Sequence, residues 1–425
     1  MKLNKYILPF LTLGLTMASC SDFLDKEPLD QGTDAIMYKT PAQFDQAALA
    51  LYSSFTDKDC GQVMWQNANF DGNLDVSGIG GNGGGSAPQG TNNWKKPYER
   101  LRNINILLEK AQGFGDKDAI ASSIGTAYFF RAWEHFYLVG KFGGVPIVDH
   151  VFDLSDPVLY APRNSRYEVM KLVFDDLQNA VNLLPKRSSI SGLDNRGRLT
   201  KEAAQAFLAR VALYEGTWEK YVPSIGLDLD GDGVSTGAGS VKPEGYPSVN
   251  DMLKIAQDMS RAVIQEAETG TFQLFDAGEE LSYYELFNLD DGDGNISNHL
   301  GIGKAANKEF ILCNPYDYTL KRSGTNNAHK VATWQAVNIS AYLGESYLCS
   351  NGLPIYLSTS GSLDDAYYNP DFGGYDTYMG EFQNRDMRFI STTYLPDRPV
   401  FCCDGEHWVP RTCLLYTSPS PRDTR

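Results

Sequence analysis

Residues 118–146, DAIASSIGTAYFFRAWEHFYLVGKFGGVP, decide the architecture. The stretch is apolar nearly all round, the mark of a buried helix rather than a surface one. Gly143, Gly144 and Pro146 bring it to a clear stop. The same 3.6-residue period runs on both sides of it. In KTPAQFDQAALALYSSF, Thr40 is an N-cap and Pro41 occupies the first helical position, with Phe44, Ala47, Ala48 and Leu51 on one face. NNWKKPYERLRNINILLEK puts Tyr98, Leu101, Ile104, Leu107 and Leu108 on a stripe. NSRYEVMKLVFDDLQNAVNLLP is a helix closed by Pro185. LTKEAAQAFLARVALYEGTW aligns Leu199, Ala203, Ala206, Phe207, Val211 and Tyr214. SVNDMLKIAQDMSRAVIQEAE opens on the capping box Ser248…Asp251 and buries Met252, Ile255, Met259 and Val263.

Helices of about 15–25 residues separated by short connections predict hairpins stacked in the manner of tetratricopeptide repeats, without a strict repeat signature. From about Thr271 the texture changes to loops rich in Tyr, Asn, Gly and Asp. The expected fold is therefore mainly α, a tetratricopeptide-like scaffold over residues 20–270 followed by an irregular, loop-rich region over 271–412.

Both ends of the chain call for separate treatment. Lys2 and Lys5 precede an apolar run from Tyr6 to Met17, too short for a bilayer core, which needs roughly 20 residues. With Met17-Ala18-Ser19-Cys20 it reads as a lipoprotein signal peptide over residues 1–19, and Cys20 as the lipidated first residue of an anchored mature protein. The other end, CLLYTSPSPRDTR (residues 413–425), resembles translated sequencing-adapter sequence and is read as non-native.

The net charge of −16 repels nucleic acid and anionic lipid, and no basic cluster offsets it. Cys20, Cys60, Cys313, Cys349, Cys402, Cys403 and Cys413 form no metal-spaced cluster and no disulfide framework.

Several blocks carry a resemblance. CSDFLDKEP directly after the lipobox, FFRAWEHFYLVGKFGGVPIV, RLTKEAAQAFLARVALYEGTWEKY, SYLCSNGLPI and EFQNRDMRF fall in the order of, and resemble, successive blocks of the SusD/RagB family of Bacteroidetes surface lipoproteins. The resemblance implies a non-catalytic protein held at the outer membrane by its lipid. Facing outward, it would capture glycan or another nutrient for a TonB-dependent, SusC-like barrel transporter. The chain departs from that pattern by ending soon after NRDMRF, so the resemblance implies a longer native protein.

Catalytic constellations are not evident. His135, His150, His299, His329 and His407 form no ligand pair, and the glycines of SGIGGNGGGSAPQG lack a following Gly-Lys-Ser/Thr. With 53 acidic residues, a glycosidase carboxylate pair is neither picked out nor excluded, and an extracellular glycoside hydrolase is the alternative function. Arg131, Glu134 and Arg210 are expected to satisfy one another in the helical core.

Two acidic loops suggest structural calcium. DLDGDGVSTGAG places Asp228, Asp230 and Asp232 at alternate positions, with the Val234 carbonyl next, as in the first half of an EF-hand loop; Gly239 stands where a bidentate Glu would complete it. Asp291 and Asp293 form a weaker copy. For a sugar, aromatic faces with amide and carboxylate neighbours are the expected partners. Trp65, Asn67, Asn69, Asp71, Asn73 and Asp75 offer them in one loop, Trp94 at the next helix, and Trp334 and Tyr342 in the loop-rich half.

Overall fold

The computed structural model describes residues 37–55, 92–153, 155–191, 197–221, 242–278, 282–292, 298–313, 341–358, 367–377, 379–393 and 395, with strand pairs at 76–77, 338–339, 400–401 and 407–408. The scaffold helices are α1 (Pro41–Ala50), α2 (Asn92–Gly113), α3 (Ala121–Phe142), α4 (Arg166–Leu183), α5 (Lys201–Tyr221) and α6 (Val249–Ala267). Short helices follow: α7 (Ser282–Asn288), α8 (Ala341–Ser346) and α9 (Met387–Thr392). The strands are β1 (Val76–Ser77), β2 (Asn338–Ile339), β3 (Tyr356–Ser358), β4 (Tyr367–Tyr368), β5 (Val400–Phe401) and β6 (His407–Trp408), paired antiparallel as β1–β2, β3–β4 and β5–β6.

The helix starts are written in the sequence. Thr40, Ser165 and Ser248 each accept from the backbone N–H three residues on, while Gln43, Glu168 and Asp251 reach back to the cap. Gly143 ends α3 at φ +70°, a conformation open to glycine at little cost. Each scaffold helix from α2 to α6 packs on the next, and α1 lies against α3. This is the expected order of stacked hairpins.

α3 is the buried centre: Ala127, Phe129, Phe130, Ala132 and Leu138 are essentially inaccessible. Gly125 permits its close approach to α4, since a Cβ there would lie 3.0 Å from Leu184 Cγ. Around α5 the buried arc is wider than the expected stripe. Ala204, Leu208 and Ala212 join Leu199, Ala203 and Val211, because α4 and α6 pack on it from two sides. Phe207 and Tyr214 instead meet α3 from the flank, through Trp133 and Phe136.

Successive helices are also tied by arginine–carboxylate pairs. Arg100 of α2 donates to Glu134 of α3 at 3.3 Å. Arg131 of α3 makes a bidentate pair with Asp176 of α4, both bonds 2.7 Å. Arg166 of α4 donates to Glu215 of α5 at 2.5 Å and lies 4.0 Å from the Trp218 ring centroid. These pairs correct one expectation. Arg131 and Glu134 do not satisfy one another but neighbours on other helices, and Arg210 is exposed.

Candidate functional site

The loop-rich half builds a second, small core from Cys349, Ile355 and Phe372. Its hairpin is fixed by a reciprocal amide pair. Asn351 Nδ2 donates to Asn369 Oδ1 (3.0 Å), and Asn369 Nδ2 donates to Asn351 Oδ1 (3.1 Å). The same two oxygens accept from the backbone of Asp371 and Leu353. Asn369 is 1% exposed, and this closed set satisfies its polar atoms.

On this base stands an aromatic surface. Tyr356 of β3 faces Tyr368 of β4 across the ladder, with ring centroids 5.2 Å apart. Tyr368 stacks on Phe372 (5.8 Å, 20°), and Tyr375 meets Phe372 edge-on at 5.0 Å. Beneath Phe372 lies the Arg385 guanidinium, 5.6 Å from that ring and 4.7 Å from Phe389. Arg385 donates to the carbonyls of Gly344 (2.6 Å), Tyr347 (2.9 Å) and Glu381 (3.0 Å). Burial pulls its pKa below the ordinary guanidinium value.

The layers run from a pinned arginine through a buried Phe to outward tyrosines, with Tyr368 39% and Tyr375 40% exposed. The Tyr375 hydroxyl donates to Glu345 Oε1 at 3.3 Å, so a carboxylate edges the rings. Held rings with polar rims can stack on the C–H faces of a sugar while hydroxyls and carboxylate meet its OH groups, at little ordering cost on binding. Among the described residues no group of His, Cys, Asp and Glu is arranged to hold a metal ion.

Most residues expected at the site from sequence lie outside the described ones: Cys20, Trp65, Asn67, Asn69, Asp71, Asn73, Asp75, Trp334, Asp228, Asp230, Asp232, Val234 and Asp293. The β1–β2 pairing nevertheless joins the two segments that supply the expected glycan contacts. Val76 is opposite Ile339 and Ser77 opposite Asn338. Asp75 immediately precedes β1, and Tyr342, in α8, and Trp334 flank β2 in sequence. Trp94 is half-buried against Tyr98 (5.2 Å) and Phe142 (5.0 Å), with the Arg163 guanidinium 5.5 Å from its ring, and so secures α2 to the end of α3. Asp291 accepts from the Lys304 N–H at 2.8 Å, capping the short 3-10 turn there.

Tyr356, Tyr368, Phe372 and Tyr375 were not singled out by sequence reasoning. The signal was there: AYYNPDFGGYDTY is dense in aromatics and set between turn residues. The blocks SYLCSNGLPI and EFQNRDMRF, read as family marks, turn out to supply the floor through Cys349, Asn351, Ile355 and Arg385.

Comparison with known proteins agrees with this architecture. Residues 19–213 match the model of the SusD-like family described as starch-binding and associating with the outer membrane. A SusD-like protein (P2) of Formosa agariphila is 28% identical over 236 residues, 51% of this chain and 45% of the relative. A SusD-like protein of Bacteroides ovatus is 26% identical, covering 50% of this chain and 40% of the relative. The matches thus span less than half of either relative's length. Two solved structures from Bacteroides fragilis share the fold. One is a SusD-like protein with TM-score 0.60 and 18% identity, covering 93% of this chain and 68% of that one. The other is a SusD-like carbohydrate-binding protein with TM-score 0.57 and 19% identity, covering 87% and 62%.

Proposed function

From the match of residues 19–213 to the SusD-like family model, we propose that this protein is a non-catalytic, cell-surface glycan-binding lipoprotein, anchored through Cys20, that captures oligosaccharide and delivers it to a TonB-dependent, SusC-like outer-membrane transporter. The observation that carries the reading is the tyrosine surface of the β3–β4 hairpin, rigid and aromatic, with Glu345 at its edge. Its open form suits a chain of sugar rings lying across it. The segments joined by β1 and β2 supply the remaining contacts, Trp65 to Asp75 on one side and Trp334 with Tyr342 on the other. The acidic balance suits neutral glycan and disfavours a polyanion. Calcium held by Asp228, Asp230, Asp232 and the Val234 carbonyl is part of the proposal, as a brace between α5 and α6.

The test separates binder from hydrolase. The protein is incubated with soluble starch, xylan and laminarin oligosaccharides, and both bound and free fractions are sized. Recovery of bound oligosaccharide at its starting length is expected. Progressive shortening proportional to protein concentration contradicts the reading.

A further inference from the structure

We propose a second binding site, for a single neutral pyranose, in the cleft between α1, the start of α3 and the link from α4 into α5. The cleft has a volume of about 370 Å³, at the lower end of the range for small-molecule sites. It fits one or two sugar rings rather than a polymer laid across an open face.

Its walls combine two kinds of chemistry. On the polar side Arg198 makes a bidentate pair with Asp45, Nη1 to Oδ1 at 2.5 Å and Nη2 to Oδ2 at 2.9 Å. The charges cancel, so the cleft selects a neutral ligand over an ion. A carboxylate has about four lone-pair sites, and the pair engages one on each oxygen; the others are left to accept sugar hydroxyls. Ser122 and Ser189, both exposed, line the same space; the Ser189 hydroxyl donates to the Lys186 carbonyl at 2.7 Å and so offers only acceptor sites, while the Ser122 hydroxyl can donate and accept. On the apolar side Leu49, from the last turn of α1, offers a surface for the C–H face of a ring.

The site is held in place before any ligand arrives. Tyr52 accepts from the Leu199 N–H at 2.6 Å, and burial raises its pKa, so the phenol keeps its proton. The Asp45–Arg198 pair joins residues 153 apart in sequence, locking α1 to the entry of α5. A small neutral polyol follows from these groups alone. That the polyol is a sugar rests on the glycan reading above.

The experiment is saturation-transfer NMR on the full chain with glucose, galactose, mannose and xylose, and with myo-inositol as a non-pyranose polyol. It is repeated on Leu49→Trp, Asp45→Asn and the pair Tyr368→Ala/Tyr375→Ala. Leu49 is exposed, so a Trp there fills the cleft without entering the core; thermal melts check that each variant folds. Transfer to at least one pyranose is expected. It should weaken about tenfold or more in Leu49→Trp and Asp45→Asn. It should persist in the tyrosine pair, whose loss of polymer binding reports on the other surface. No transfer to any pyranose, transfer to inositol alone, or undiminished transfer in Leu49→Trp overturns the proposal. Pyranose transfer that Leu49→Trp abolishes, in a protein that binds no polymer, upholds the cleft and removes only the tyrosine surface.

Discussion

Glu134 is a carboxylate in the middle of the most buried helix, 1% exposed, with Arg100 as its charged partner. Burial pushes its pKa up to about 7, and Arg100 offsets only part of that cost. The folded state therefore holds this proton more tightly than the unfolded chain. The associated stability is fully present below about pH 4.5 and is lost as pH rises to about 7, on the order of 3 kcal/mol across that window. Glu134→Gln keeps the shape and removes the titration. Its melting temperature at pH 8 should equal or exceed that of the parent, with the slope between pH 5 and 7 reduced; a large loss at pH 8 would mean that the Arg100 pair outweighs burial. His135, beside it, behaves oppositely. Its ring is fully buried, and burial pulls its pKa down to about 4, so it stays neutral. Its Nδ1 then donates to the Arg131 carbonyl (2.9 Å), and Nε2 accepts from the Val148 N–H (3.4 Å). The sequence marked both residues as lying in a buried helix. Their partners were not legible: Glu134 was expected to pair with Arg131 and Arg210 but meets Arg100 of α2, and His135 is held by the Arg131 carbonyl one turn earlier and by the Val148 N–H beyond α3.

At the scale of elements, the contact of α3 with α4 depends on one missing side chain. Gly125→Ala should raise helix propensity by up to about 1 kcal/mol yet destabilise the protein, since the new Cβ meets Leu183, Leu184 and backbone within 3.2 Å. A net loss of about 1–3 kcal/mol in urea unfolding is expected, and a gain would show that α4 can shift away. The link between α5 and α6 carries the calcium proposal. Millimolar calcium should raise the melting temperature, by linkage about 2.7 kcal/mol at 100 times the dissociation constant, and Asp230→Ala should abolish the response. An unchanged melting temperature in the parent removes that site. Helix order, the N-cap at Thr40, the capping box at Ser248 and the stop at Gly143 were legible because each is a local signal in the chain; the reach of Gln43 back to Thr40 emerged only in the structure. The sidedness of α5 was legible only in part, because a helix packed on two flanks hides any single stripe. The tyrosine surface was not assembled from sequence. Its rings come from β3, β4 and the turns after β4, and its floor from Arg385 beyond them, a convergence that only the fold supplies.

At the scale of the whole molecule, a helical scaffold carries a loop-built face, and Cys20 is the proposed point of attachment. Cys20→Ala should release the protein from outer membranes, because the thioether-linked lipid needs that sulfur; full retention after partners are stripped away contradicts the anchor. No helix among the described residues is long and apolar enough to cross a membrane. The central claim is that the β3–β4 tyrosines hold glycan. Its most direct measurement is isothermal titration of the parent and of Tyr368→Ala/Tyr375→Ala with maltoheptaose, xylan and laminarin oligosaccharides. Both rings are partly exposed, so the pair of substitutions should leave the fold intact. The account predicts measurable binding of at least one glycan by the parent and a loss of about 10- to 100-fold in the variant, the worth of two stacked rings at about 1–3 kcal/mol. Equal affinity in parent and variant would contradict it, as would a parent that binds none of these glycans.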